Sequence, residues 1–589
     1  MAEAIISPGV YTNENDQSAV SQGPIVVGAA IVGPTVNGIP YVPTIVTSYS
    51  EYIAKFGSTF SNGTSGDMEY FTSLAAKNYF DNGGNTLLVT RITHAGTGSS
   101  ALSSFSSASV ASSGALATSF VLETLAWGAQ MNNEGGTVVS GALPSGSAAN
   151  VRWEVNQVNY EQGTFTLLVR SGNDNDAQKN ILETWTNLSM DVNQPNYISR
   201  VIGDTKPVYT YSAADGQGYI DYNGDYPNAS RYIRVATVAQ AQYNTFDNNG
   251  TYQAALYSSS LPALGSGSVN GAFNGGVVDT ALSKYMFENI ISGVTNAQGF
   301  TTADYAPALS LLNNTDEYQF NLLLTPGLFL AGGDAAINIG VNNADPISVA
   351  QGRTDALAVV DTVPYGGSIT SAATAANASN SSYAATYWPW CQVFSSAMGK
   401  LVWVPASVVM GGVFAFNDEV SAPWFAPAGI TRGGIPNVVK VERKLSLSDR
   451  NTLYADNVNP LATFPGEGVV VFGQKTLQQK ASALDRVNVR RLLIALKGFI
   501  SGVGRSLVFE QNTTATRNRF LNQVNPYLDN VVQKQGLFAY KVVMDESNNT
   551  PDVVDRNQLI GQIFIQPTKT AEFVILDFTI LPTGVEFPA

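Results

Sequence analysis

The apolar positions of this chain follow two rhythms, one of short buried runs and one of strict alternation. Over residues 43–92 the runs predict a compact α/β unit: PTIVT is a strand, Ser48 caps the helix SYSEYIAKF, Asp67 opens a second helix (MEYFTSLAAKNYF) that Gly83-Gly84 stops, and TLLVTRI follows as a strand. From 120 to 172 the pieces FVLET, GTVVSG, VRWEVNQV and GTFTLLVR carry no helical period and predict an inserted all-β module. Residues 182–202 then return the chain to α/β structure. YQFNLLL (318–324), a helix end at 348–354 and the buried run 356–360 read as a further strand–helix–strand unit. Two stretches dominated by Ser, Ala, Gly and Asn, 95–119 and 366–382, mark boundaries.

Both ends read as strands in need of partners. Residues 1–24 bury little, contain the extended turn Ser7-Pro8-Gly9, and offer Ile5, Val10 and Tyr11 for pairing with another sheet. In AEFVILDFTI, Phe573, Ile575 and Asp577 face one way while Val574, Leu576, Phe578 and Ile580 face the other. Residues 484–500 form an amphipathic helix. At ~100° per residue, Arg486, Arg490 and Lys497 fall within about 40° of one another, beside an apolar stripe of Leu492, Leu496, Phe499 and Ile500.

At 589 residues the chain exceeds one core, and 44% hydrophobic content is ordinary for a globular protein. A net charge of −14 argues against binding a phosphate backbone. The charge is uneven: residues 440–541 hold 15 Lys and Arg against 7 Asp and Glu, so one basic region stands on an otherwise acidic chain. A single cysteine, Cys391, excludes an internal disulfide, and neither a signal peptide nor a membrane span is expected. Chemistry is sparse. With one histidine, His94, and one cysteine far from it in sequence, a buried Cys beside Trp390 and a loop His outweigh a catalytic pair, and a zinc site is not expected. GVVVFGQKT (468–476) has one residue too many for a phosphate loop and a spacer that should be a strand. Asn-x-Ser/Thr triplets at Asn62, Asn187 and Asn228 read as accidents of composition.

The densest pattern lies at 441–510. It holds DxNxLYxxNVNP, an apolar strand ending GQKTL, a helix opening VNVRRLL, and FExN as a strand end; upstream stand YWPW (387–390), VPAS (404–407) and APAG (426–429). In this order, these pieces resemble the C-terminal core of contractile-tail sheath proteins of myophages, over roughly 180 residues. KNYFDNGGNTLLVTRI and residues 182–202 resemble the same family. The resemblance implies a mechanical function without cofactor, metal or catalytic residue. It implies six-fold rings of this chain stacked around a tail tube, with baseplate and tail terminator proteins as further partners, no nucleic acid and no membrane insertion. It places the protein in the virion tail, assembled in the host cytoplasm. It also implies that the basic helix face of Arg486, Arg490 and Lys497 docks on the tube, the plainer reading being a core-packed helix with a solvated basic face, and that the terminal arms, through Ile5, Val10, Tyr11, Phe573, Ile575 and Phe578, add strands to neighbours' sheets, the alternative being that both complete their own core sheet.

The expected fold is a multidomain chain of α+β and α/β class. Residues 1–24 form an arm, 25–98 and 183–365 a middle α/β domain, 99–182 an inserted β-rich outer domain, and 366–589 the C-terminal α/β sheath core with its strand arm. Three other readings compete: the sheath of a bacteriocin-like or type VI secretion-like device; a soluble carbohydrate-active enzyme, for which no carboxylate pair stands out; and a capsid or adhesin shell protein, which leaves the basic helix unexplained.

Overall fold

The computed structural model describes residues 27–61, 67–93, 105–114, 117–128, 141–144, 146–212, 216–239, 261–275, 300, 302–331 and 345–572. Ile5, Val10, Tyr11, His94, Phe573, Ile575 and Phe578 lie outside them.

The central element is an eight-stranded sheet in the order Thr44–Val46, Leu87–Ile92, Val27–Pro34, Phe320–Phe329, Leu357–Asp361, Ala384–Trp388, Asn459–Phe464, Gly468–Val471. Six strands run parallel, and an antiparallel strand closes each edge. Parallel sheets bury both faces, so their strands read as unbroken apolar runs; all five residues of LAVVD are buried. The predicted Ser48 cap is present, its hydroxyl accepting from the Glu51 N–H at 3.2 Å above the helix Tyr49–Phe56.

Several expectations are corrected. Asp67 opens no helix: Asp67–Glu69 pairs with Thr59–Ser61, and the helix runs Phe71–Asp81. Stacking of Phe60 on Tyr70, with ring centroids 4.9 Å apart, favours the hairpin over the extra turn. The second low-complexity stretch contains the helix Ile369–Asn377, capped by Ser368 and buried through Ala372, Ala373, Ala375 and Ala376. Alanine is the best helix former and small enough for close packing, so a linker-like composition hid an element. The boundary at 365/366 cuts a continuous sheet, because Leu357–Asp361 pairs in parallel with Ala384–Trp388.

The insert is also larger than expected. Residues 182–202 do not leave it: Ile181–Ser189 pairs with Thr164–Ser171, which pairs with Val151–Asn159. A second antiparallel sheet sets Thr118–Thr124 between Ser107–Ala111 and Ile233–Val238. The first low-complexity stretch therefore supplies a strand, and 233–238 returns to close the module. The two sheets share one core, in which Phe120 stacks on Phe165 at 5.5 Å.

A third core belongs to the C-terminal unit. Helices Val487–Arg505 and Thr514–Gln533 and the two-stranded sheet Leu537–Val543/Gln562–Pro567 enclose Leu492, Leu496, Phe520, Val524, Leu528 and Val531.

One close approach fixes how the sheet is covered. Helix Ala406–Val420 crosses Phe71–Asp81 at Gly412, where an added Cβ meets the Asn78 carbonyl oxygen at 2.7 Å, while the Asn78 amide donates to the Val409 carbonyl at 2.7 Å. Gly412→Ala gains about 1 kcal/mol in helix propensity. The clash is expected to outweigh that gain, for a net loss of roughly 1–2 kcal/mol read from the urea midpoint.

Candidate functional site

The sequence motifs resolve first into packing. Trp390 of YWPW is the hub of an aromatic cluster, 5.9 Å from Phe71, 6.0 Å from Phe329 and 5.8 Å from Tyr365, and its indole N–H donates to the Val363 carbonyl at 3.0 Å. Ser407 of VPAS binds Asp361 twice, through its N–H at 2.9 Å and its hydroxyl at 2.6 Å, joining the start of helix Ala406–Val420 to the end of a central strand. Burial pushes the Asp361 carboxyl up to about 6, against the pull of these hydrogen bonds. Cys391 is buried, and burial raises its thiol well above the ordinary range, which disfavours the nucleophilic thiolate. In GVVVFGQKT, Gly468–Val471 is an antiparallel strand and the Lys475 ammonium donates to the Tyr454 carbonyl at 2.6 Å, so no phosphate cradle forms. Among the described residues no cluster of His, Cys, Asp and Glu could hold a metal ion, and no helix is long and apolar enough to cross a membrane.

The expected basic face is not an open surface. Helix Val487–Arg505 lies between two cores, giving Val487 and Ile494 to the sheet and Leu492 and Leu496 to the C-terminal unit. Arg490 is only 4% exposed; it stacks over the Tyr383 ring at 3.9 Å and donates to the Ser382 carbonyl at 3.1 Å and to the Ser382 hydroxyl. Arg491 beside it binds both oxygens of Asp418, at 2.7 and 2.5 Å. Lys497 alone of the three is exposed, 3.3 Å from the Tyr383 hydroxyl. A helical projection shows which residues share a face; it says nothing of what that face meets. FExN is likewise no strand end. It turns between two helices, with Val508 exposed and Phe509 fully so at φ 70°.

Arg486 holds a residue that the sequence reading left without a role. Its Nε and Nη2 donate to the two oxygens of Glu572 at 2.7 and 3.1 Å, the Tyr454 hydroxyl donates to the same carboxylate at 2.8 Å, and the Gln474 amide does so at 3.1 Å. Burial opposes the charge on Glu572, yet these hydrogen bonds and Arg486 keep its carboxyl below the usual range. The carboxylate stands at one end of a groove of about 680 Å³ between sheet and C-terminal unit, lined among others by Phe425, Leu447, Arg450 and Phe472. The signal that could have found it was the acidic residue opening the AEFVILDFTI strand pattern.

A sheet-based body, a β-rich insert and a separate helix–hairpin unit make this a multidomain protein of mixed α and β structure. Residues 298–477 match the phage tail sheath protein central domain and 479–580 the phage tail sheath C-terminal domain. The junction falls where the sheet core gives way to the third core. The chain is 40% identical to the tail sheath protein of Vibrio phage KVP40 over 185 residues, 31% of this chain and 28% of that one. It is 29% identical to the tail sheath protein of Salmonella phage ViI over 329 residues, 54% of this chain and 51% of that one. The alignments thus span about half or less of these relatives. The sheath tail protein Lin1278 from Listeria innocua superposes with a TM-score of 0.49 at 10% identity, over 92% of this chain and 95% of that one. Residues 298–477 and 479–580 thus carry, one after the other, the two domains of the phage tail sheath family.

Two outcomes follow from the buried charges. Arg490→Glu buries an acid where a stacked cation stood and is expected to cost several kcal/mol, roughly 3–5, in denaturant unfolding. Lys497→Glu, at an exposed site, is expected to change stability by less than about 1 kcal/mol. For Asp361 the folded pKa lies above the unfolded value of 3.8, so the folded state holds the proton more tightly. Its contribution is full below about 3.8 and is lost as pH rises towards about 6. Asp361→Asn removes this term, so the stability difference between wild type and variant should drift in the variant's favour by up to roughly 3 kcal/mol across that window and then level off, as measured by urea titration at stepped pH.

Proposed function

We propose that the chain is the structural and mechanical subunit of a contractile phage tail sheath, polymerising as stacked six-fold rings around the tail tube and contracting to drive the tube through the host envelope. The observation that carries this reading is the two-stranded sheet Leu537–Val543/Gln562–Pro567. Among the described residues, neither outer edge has a strand partner, and Phe538 and Phe564 are exposed on it. A lone two-stranded sheet is marginal in water and its open edges are templates for pairing. Strands from neighbours' termini, one carrying Ile5, Val10 and Tyr11 and one carrying Phe573, Ile575 and Phe578, would satisfy both edges through backbone hydrogen bonds. Such bonds persist while the bodies rotate, so subunits can shift without dissociating. Contraction is then a passage from a metastable lattice to one of lower energy, driven by interface free energy rather than by a bound nucleotide.

The partners in this reading are other copies of the chain, the tail tube protein, and baseplate and terminator proteins, in a virion tail assembled in the host cytoplasm. Of the three basic residues considered for tube contact, Lys497 is the one whose exposure supports that role. The β-rich insert would sit on the outside, where variation leaves the lattice undisturbed.

Negative-stain electron microscopy of the purified chain at high concentration is expected to show hollow striated cylinders with six-fold end views. Deleting residues 1–16 is expected to leave a folded monomer that forms none. Ordered cylinders from the truncated chain would sink the strand-donation reading.

A further inference from the structure

Three side chains that lie 118, 98 and 86 residues before it in the chain converge on one carboxylate. Tyr454 comes from the helix Leu447–Ala455, Gln474 from the turn after the last strand of the large sheet, and Arg486 is the residue before the first helix of the C-terminal unit. All three donate to Glu572, and the Gln474 amide also reaches the Thr570 hydroxyl at 2.5 Å. The Glu572 side chain is 18% exposed and that of Arg486 26%. Both carboxylate oxygens are bound by one guanidinium, an arrangement about twice as strong as a neutral hydrogen bond and fixed in direction as well as distance.

The position of this carboxylate gives the contact its meaning. Glu572 is the last described residue, directly before the apolar strand pattern that begins at Phe573. Residues 568–572 run along the groove between the two units, away from the open two-stranded sheet that ends at Pro567. Whatever residues 573–580 pair with, the described chain ends at the point where Glu572 is held. A terminal segment tied only by its backbone would fray from Pro567 onward.

We propose that Arg486, Tyr454 and Gln474 close on Glu572 as a latch that fixes the root of the C-terminal segment to the body of its own subunit, so that the strand it carries is presented from a set point and direction. Arg486 is thereby a positioning residue for that strand rather than a tube contact. The use of the latch in assembly rests on the sheath reading above; the latch itself is a property of the single chain. Fixing the root lowers the ordering cost when the strand engages an edge, because fewer residues remain to be immobilised. It also confines a load passed along the strand to the junction of the sheet and the C-terminal unit.

The test uses the full-length chain as monomer and limited chymotrypsin digestion, with cleavage at Phe573 and Phe578 followed by mass spectrometry. Arg486→Gln, shorter and uncharged, and Glu572→Gln, near-isosteric and uncharged, are each expected to speed cleavage by about tenfold, the opening set free by losing a charge-assisted pair. Because both act on one contact, the double variant should cleave no faster than either single. Tyr454→Phe removes a single hydroxyl and should give a smaller rise of about threefold, which keeps the test usable if a charge variant fails to fold. Cleavage at the wild-type rate in folded single variants, or a double variant that multiplies the two effects, would overturn the latch. Absence of cylinders from the wild-type chain would count against the sheath reading alone, since the digestion is read on monomers.

Discussion

The constraint on which the rest of this structure depends is that a mostly parallel sheet must be covered on both faces. Its strands come from residues 27–34 at one end of the chain to 468–471 near the other, and they stack into one continuous apolar layer. Each parallel pairing requires a crossover, and the crossovers supply the helices that close the faces. The β-rich insert is tolerated because its ends return close together. Arg91, fully buried at the end of a sheet strand, donates to the carbonyls of Gly38, Ala126 and Gly128 and so ties the segment after the insert strand Thr118–Thr124 to the sheet.

From this frame follows the position of the C-terminal unit. Helix Val487–Arg505 serves two cores at once through its first half, Val487 to Leu496, while most of its last turns are exposed. Arg490 and Arg491 turn inward, to Tyr383 and Asp418, as Arg486 at its cap does to Glu572, whereas Lys497 and Arg505 are exposed. A basic stretch of sequence thereby becomes the cement between two units, while the face left open is a strand edge. Under the proposed strand donation, recognition would fall to backbone hydrogen bonds more than to charge, in keeping with the low net contribution of exposed ion pairs.

Much of the fold was legible in the chain. The strands at Leu87–Ile92, Phe320–Phe329 and Leu357–Asp361, the Ser48 cap, the end of Pro346–Arg353 and the strand nature of Gly468–Val471 all followed from apolar runs and cap chemistry, which act over a few residues. The errors share a cause. Asp67–Glu69 and Ser107–Ala111 took their form from hairpin partners that local composition did not announce, and alanine-rich Ile369–Asn377 hid a helix in a linker-like composition. The domain boundary at 365/366 failed because strand pairing is non-local, and low complexity between two strands does not separate them.

The sequence by itself determined the resemblance to sheath proteins, the mixed α/β character, the buried cysteine and the apolar strand patterns, since these rest on motif order and on periodicities that each segment carries alone. Only the tertiary structure decided which carboxylate Arg486 meets, that Arg490 is buried, and which strand edges stay open among the described residues. A charge's role depends on what lies within a few ångströms, and chain order does not encode that distance. Glu572 and Tyr454, 118 residues apart, touch only because the sheet and the helix Val487–Arg505 bring them to the same junction.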